Sequence, residues 1–90
     1  MTLVYPQREA RIYLPVNLEG KTVSTVFEAV NRNANATVFW HMDDTYLGST
    51  ENGMHQLALS PAPGKHVLTL VDNNGEKVVQ KFEIVGRRGR

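Results

Sequence analysis

Along this 90-residue chain apolar side chains recur at every second position in short runs, and Gly, Pro, Asn and Asp separate the runs. Period two is the mark of half-buried β-strands, whose successive side chains point to opposite faces, and the separators are turn formers. A helical period of 3.6 is nowhere sustained. Leu3 to Tyr5 and Arg11 to Leu14 are each closed by a proline, Pro6 and Pro15, which predicts edge strands because proline donates nothing to a ladder. Thr22 to Val30 is rich in β-branched residues and long enough for a central strand, with Phe27 inward and Glu28 toward water. Ala36 to Met42 follows, with Val38, Trp40 and Met42 on one face and Phe39 and His41 on the other.

Asp43 and Asp44 then turn the chain into a short piece around Tyr46 and Leu47, followed by a polar loop from Gly48 to Gly53. Met54 to Leu59 alternates with His55, Leu57 and Leu59 on one face, and Ser60 to Gly64 is a connection of turn residues. In Lys65 to Val71, His66, Leu68 and Leu70 share a face. Asp72 to Gly75, "DNNG", predicts a hairpin, and Glu76 to Val85 returns with Val78, Phe82 and Ile84 toward the core. The sum is an all-β sandwich of about seven antiparallel strands, with a barrel as the structural alternative. The domain is expected over residues 1–85, and the basic end "GRRGR", residues 86–90, as a flexible tail.

Composition narrows the function classes. With 41% hydrophobic residues, a chain of this length suits one core that is not usefully divided. Ten Lys and Arg against nine Asp and Glu give no broad positive field of the kind nucleic-acid binding relies on. Without cysteine there is no disulfide, thiolate nucleophile or common structural zinc site, so packing alone must hold the fold. The chain carries no apolar run of membrane-spanning length, and its first residues lack the hydrophobic centre of a signal peptide.

"VFWHMDD", Val38 to Asp44, looks most like chemistry. His41 and Asp43 would share a strand face as possible ligands, but two ligands make no metal site, and His55 and His66 fall on other strands. Asp43 and Asp44 are neighbours on an extended chain and cannot flank one bond as a carboxylate pair must, so a turn accounts for them better. No G-x-S-x-G or S-x-x-K occurs, and "KTV" at Lys21 to Val23 lacks the glycine and partner motifs of penicillin-recognising enzymes. In "DNNGE" the glycine stands fourth rather than sixth as a calcium loop requires. "NAT" at Asn35 to Thr37 is a glycosylation-like triplet of little weight. Neither a catalytic group nor a metal or cofactor is expected. Tyr5, Tyr13, Phe39 and Tyr46 are the candidates for surface recognition, since a flat ring with or without a polar tip suits carbohydrate and peptide. Of these, Phe39 and Tyr46, with His41 beside them, are the expected ligand or partner surface. Trp40, His66, Asp72 and Gly75 are assigned structural parts: core, packed ring bonded to a backbone group, and turn.

"VYP", "ARIYLP", "TVFWHMDD", "PGKHVLTLVDNNG" and "KFEIV" together resemble the C-terminal accessory domain of class A bifunctional penicillin-binding proteins of the 1C type, the peptidoglycan synthases. The matching residues are Tyr5 and Pro6; Ile12, Leu14 and Pro15; Trp40 with Asp43; Gly64, His66, Leu68, Leu70, Asp72 and Gly75; and Phe82 with Ile84 or Val85. The sequence departs from the family at Asp44, where glycine often stands. The resemblance implies an immunoglobulin- or fibronectin-III-like sandwich without catalytic residues, set after the transpeptidase domain of a membrane-anchored periplasmic enzyme. The resemblance leaves the partner open, and the expectation is binding of peptidoglycan or of a periplasmic protein, or a spacer role. A free-standing carbohydrate-binding or adhesion module is the alternative, and a small enzyme using His41 with Asp43, or His55, would require two or more of these side chains to meet in one cleft, which the strand pattern does not predict.

Overall fold

A computed structural model describes residues 1–17, 22–51 and 54–88. Eight strands run in order: β1 (Thr2–Tyr5), β2 (Arg11–Val16), β3 (Thr25–Val30), β4 (Val38–Met42), β5 (Thr45–Thr50), β6 (Met54–Leu59), β7 (Gly64–Asp72) and β8 (Lys77–Arg88). They form two sheets, β1-β3-β6 and β2-β8-β7-β4-β5. Among the described residues no helix is long and apolar enough to cross a membrane.

The core is the layer between the sheets. Phe27 and Ala29 of the small sheet face Ile12, Leu14, Val38, Trp40, Leu68, Leu70, Phe82 and Ile84 of the large one, all buried. Phe27 and Phe82 meet edge to face, with centroids 5.3 Å apart and planes at 85°, an arrangement favoured by the ring quadrupoles. Every one of these residues belongs to a period-two run, which is how the sequence marks the inner face.

The strand count is eight rather than about seven, and one pair departs from the expected antiparallel order: β2 lies parallel to β8, from Arg11 opposite Glu83 to Val16 opposite Arg88. After β1 the chain switches sheets past Pro6, which places β2 on the outer edge of the large sheet. Pro15 does not end β2. Its carbonyl accepts from the Val23 N–H at 3.1 Å, away from β8, so the N–H that proline lacks would also have pointed away from the ladder. β3 starts at Thr25, later than expected. Thr22 instead bridges Val16 and donates its hydroxyl to the Pro61 carbonyl at 2.6 Å. Gly48 to Thr50 belongs to β5 and not to a loop, whereas Asn52 and Gly53 lie outside the described residues.

At the other end β8 runs past Val85 through Gly86 to Arg88, paired with β2, so these residues are sheet rather than flexible tail; Gly89 and Arg90 lie outside the described residues. Gly86 permits this close approach, since a Cβ there would stand 2.6 Å from Val16 Cγ2 and 3.0 Å from Pro63 Cγ.

Both hairpin turns follow from local chemistry. Asp72 to Glu76 closes with Gly75 N–H on the Asp72 carbonyl and Asp72 N–H on the Glu76 carbonyl, and Gly75 takes φ 87°. This is the three-residue loop with a left-handed last residue that glycine serves best. Asp43 and Asp44 have φ 51° and 67° between the paired Met42 and Thr45. Two positive φ values make a type I′ turn, for which glycine suits the second position. Asp44→Gly is therefore expected to raise stability by about 0.5–1 kcal/mol, through relief of the left-handed conformation less the added chain entropy. Thermal melting should show a rise of several degrees. A drop in melting temperature would mean that the Asp44 side chain contributes something the turn geometry does not reveal.

Candidate functional site: the outer face of the large sheet

β4 presents Phe39 and His41 to the outside while Val38 and Trp40 are buried. The two-residue turn folds β5 back so that Tyr46 pairs with His41, and the two rings lie 5.4 Å apart at 58°. On the other side of β4, Phe39 is opposite Val71 and His41 opposite Thr69. β8 extends the face with Val79 opposite Thr69. Phe39 is 36% exposed, Tyr46 56% and Val79 52%. The three residues expected to form a recognition surface, Phe39, His41 and Tyr46, are thus adjacent. His41 is half-buried, and its Nδ1 has no hydrogen-bond partner. Of the other ring candidates, Tyr13 is 49% exposed on β2, and Tyr5 leans on Phe27 with centroids 6.1 Å apart.

The same face carries Lys65, Lys77, Lys81 and Glu83 at the outward positions of β7 and β8. Where β2 joins β8, a groove of about 520 Å³ opens among Glu9, Arg11, Lys65, Val67, Lys81 and Glu83.

The residues given structural parts have identifiable partners. Trp40 is fully buried, and its indole N–H donates to Thr50 Oγ1 at 2.8 Å. Thr50 Oγ1 in turn stands 2.7 Å from Nδ1 of the buried His55, whose Nε2 is left without a partner. Asp72 accepts from the Asn31 amide at 3.0 Å, the Asn74 N–H at 3.0 Å and the Glu76 N–H at 2.8 Å. Its carboxyl is held below the usual carboxylate range, first by the Asn31 bond, with burial opposing and the two backbone N–H groups and the chain's amino terminus adding to the effect. One carboxylate thereby fastens its own hairpin turn to the end of β3.

His66 stacks on Phe82, with centroids 5.5 Å apart. Its Nε2 lies 2.6 Å from the Ala62 carbonyl and its Nδ1 2.5 Å from Asp43 Oδ2. Asp43 also accepts the Val67 N–H at 2.8 Å. Burial pulls the imidazole pKa down, but the Ala62 carbonyl, the Asp43 hydrogen bond and the Asp43 charge outweigh it and leave the pKa raised. For Asp43, burial pushes up while the bonds from His66 and Val67 and the His66 charge pull down, for a net lowering.

Sequence reasoning missed this contact between a turn aspartate and a strand histidine, which depends on β4 pairing with β7. It also missed the lysines, although Lys77 and Lys81 alternate visibly with Val79 in β8. His41, His55 and His66 remain apart, on the outer face, in the interior and at the β7 entry. Among the described residues no three His, Cys, Asp or Glu side chains are grouped to hold a metal ion.

The fold has known counterparts. The fibronectin(III)-like modules of Clostridium thermocellum CbhA superimpose with a TM-score of 0.67 at 13% identity, covering 99% of this chain and 98% of that one. At that identity the likeness shows the fold alone, a fibronectin-III-like sandwich. A comparison with curated proteins gives no match. The family model of the penicillin-binding protein C-terminus family matches residues 1–82, from β1 into β8 and across both sheets. The chain therefore belongs to the penicillin-binding protein C-terminus family.

Proposed function

We propose that this domain is a noncatalytic binding module of a bacterial peptidoglycan synthase, which the parent protein holds outside the cytoplasm on a membrane anchor. Glycosyl transfer and transpeptidation belong, in this reading, to other domains of the parent. Family membership supports the setting. The observation that carries the binding role is the outer face of the large sheet, where Phe39 and Tyr46 stand exposed side by side with His41. A core sheet has no packing need for exposed rings there, and rings on a flat face offer stacking area to sugars and peptides.

Co-sedimentation of the purified domain with peptidoglycan sacculi tests the reading. The native protein should sediment, and Phe39→Ala with Tyr46→Ala should weaken binding about tenfold, as expected when two ring contacts worth about 0.5–1 kcal/mol each are lost. Val26→Ala, at a residue 50% exposed on the opposite sheet, should bind like the native protein. If the native domain stays in solution, direct cell-wall recognition is wrong, and a protein partner or a spacer role takes its place.

A further inference from the structure

The two outer faces differ in charge. On the small sheet the outward positions of β3 and β6, namely Val26, Glu28, Val30, Gln56 and Ala58, carry one charge, that of Glu28. On the large sheet the outward positions of β2, β7 and β8 include Arg11, Lys65, Lys77 and Lys81 against the single carboxylate of Glu83. Arg11 spends its charge on Glu83, with Nε 3.4 Å from Oε1. Lys65, Lys77 and Lys81 form no salt bridge among the described residues. Cation and anion are close to balance over the whole chain, so this excess is a matter of placement and not of composition.

The three lysines do not sit on a uniformly polar face. Lys77 is opposite Val71, which is itself opposite Phe39; Lys81 is opposite Val67; and Val79 lies between the two lysines on β8. Along an extended strand Lys77 and Lys81 stand about 13 Å apart, farther than the roughly 8 Å over which physiological salt screens charge. Each therefore acts as a separate anion contact. Lys65 and Lys81 also flank the groove of about 520 Å³, where with Arg11 they outnumber the carboxylates of Glu9 and Glu83 by three to two. A ligand complementary to this face has flat, uncharged stretches for the rings and valines and separate carboxylates for the lysines.

Resting on the binding role proposed above, we infer that the face recognises the acidic peptides of cell-wall glycopeptide, with Lys65, Lys77 and Lys81 contacting peptide carboxylates while Phe39 and Tyr46 carry the uncharged sugar. The domain then distinguishes peptide-bearing glycan from bare glycan, which stacking alone does not do.

The test compares sacculi with particulate chitin, an uncharged N-acetylglucosamine glycan that carries neither peptide nor carboxylate, using the native domain and the Lys65→Gln, Lys77→Gln, Lys81→Gln triple variant. The native domain should bind sacculi about tenfold more tightly than chitin, and raising NaCl from about 50 to 300 mM should erode that preference. The triple variant should melt within a few degrees of the native domain and bind both preparations alike. Equal binding of the native domain to sacculi and chitin, or binding insensitive to salt, overturns the carboxylate assignment and leaves the glycan-binding role standing. The salt arm needs no variant, so a poorly folding triple substitution does not spoil the experiment. Failure to bind either preparation removes the cell-wall role and this inference with it. Vesicles containing phosphatidylglycerol are the remaining arm: binding to them as tight as to sacculi, and lost in the triple variant, would make the face a lipid site instead.

Discussion

Replacing Trp40 with alanine is expected to remove about 3–5 kcal/mol of stability, a large share of the roughly 5–15 kcal/mol that holds a typical domain together. The indole is fully buried and is the largest side chain in the core, so its loss leaves a cavity that Val38 and Leu70 cannot fill without moving their strands. A second cost follows from the hydrogen bond to Thr50. Thr50 Oγ1 serves both the indole and His55, and without the indole it retains only the imidazole. Trp40→Phe divides the cost, since it keeps most of the ring volume while removing the donor and the smaller part of the indole. It should cost roughly 1–2 kcal/mol. Urea denaturation measures both, as a lower midpoint at unchanged slope. A loss below about 1 kcal/mol for the alanine variant would mean that the tryptophan does not anchor the core.

Trp40 also shows what the sequence makes legible. Alternation alone divides "VFWHM" into Val38 and Trp40 on one side and Phe39 and His41 on the other, and the structure agrees. The two-residue Asp43–Asp44 turn then sets Tyr46 beside His41, so the aromatic part of the candidate site was readable from local pattern. Pairing between distant segments was not. Period two states which face a side chain takes but is silent about which strand lies alongside, and so the parallel β2–β8 ladder was missed. The lysine face occupies intermediate ground. Lys77 and Lys81 follow from alternation in β8, and the "DNNG" hairpin sets β7 against β8 in the register that puts Lys65 opposite Glu83. The contact between Asp43 and His66 needed one more long-range fact, the β4–β7 register that brings Met42 opposite Leu68. Turn chemistry placed Asp43 and strand pattern placed His66, yet neither indicated that they touch.

That contact predicts pH-dependent stability. Nδ1 of His66 faces a carboxylate and Nε2 faces a carbonyl. Both partners only accept, so both ring nitrogens must carry protons, and only the imidazolium does. The folded state thus holds the proton, consistent with a pKa raised above the ordinary 6.5. For a group whose pKa is raised on folding, the stabilisation is complete below its unfolded value and disappears as pH rises through the folded value. Asp43, lowered below the ordinary 3.8, contributes above that value and loses its contribution as pH falls through the folded one. The pair therefore supports the fold most between the two ordinary values, and stability should decline as the solution passes from mildly acidic to alkaline. Asp43 is 44% exposed at its side chain, and solvent screening limits the decline to about 1 kcal/mol or less, a few degrees in melting temperature. Asp43→Asn tests the charge with little disturbance of the turn, because asparagine tolerates positive φ and can still accept the Val67 N–H. Its melting temperature should lack the fall expected of the native protein as pH rises above 6.5. His66→Ala should cost more, roughly 1–3 kcal/mol near pH 6, since it also removes the packing on Phe82 and leaves the Ala62 carbonyl unpaired. Identical pH profiles for the native protein and both variants would show that His66 is not charged in the fold, and the link between the β4–β5 turn and the entry to β7 would then rest on the Val67–Asp43 bond alone.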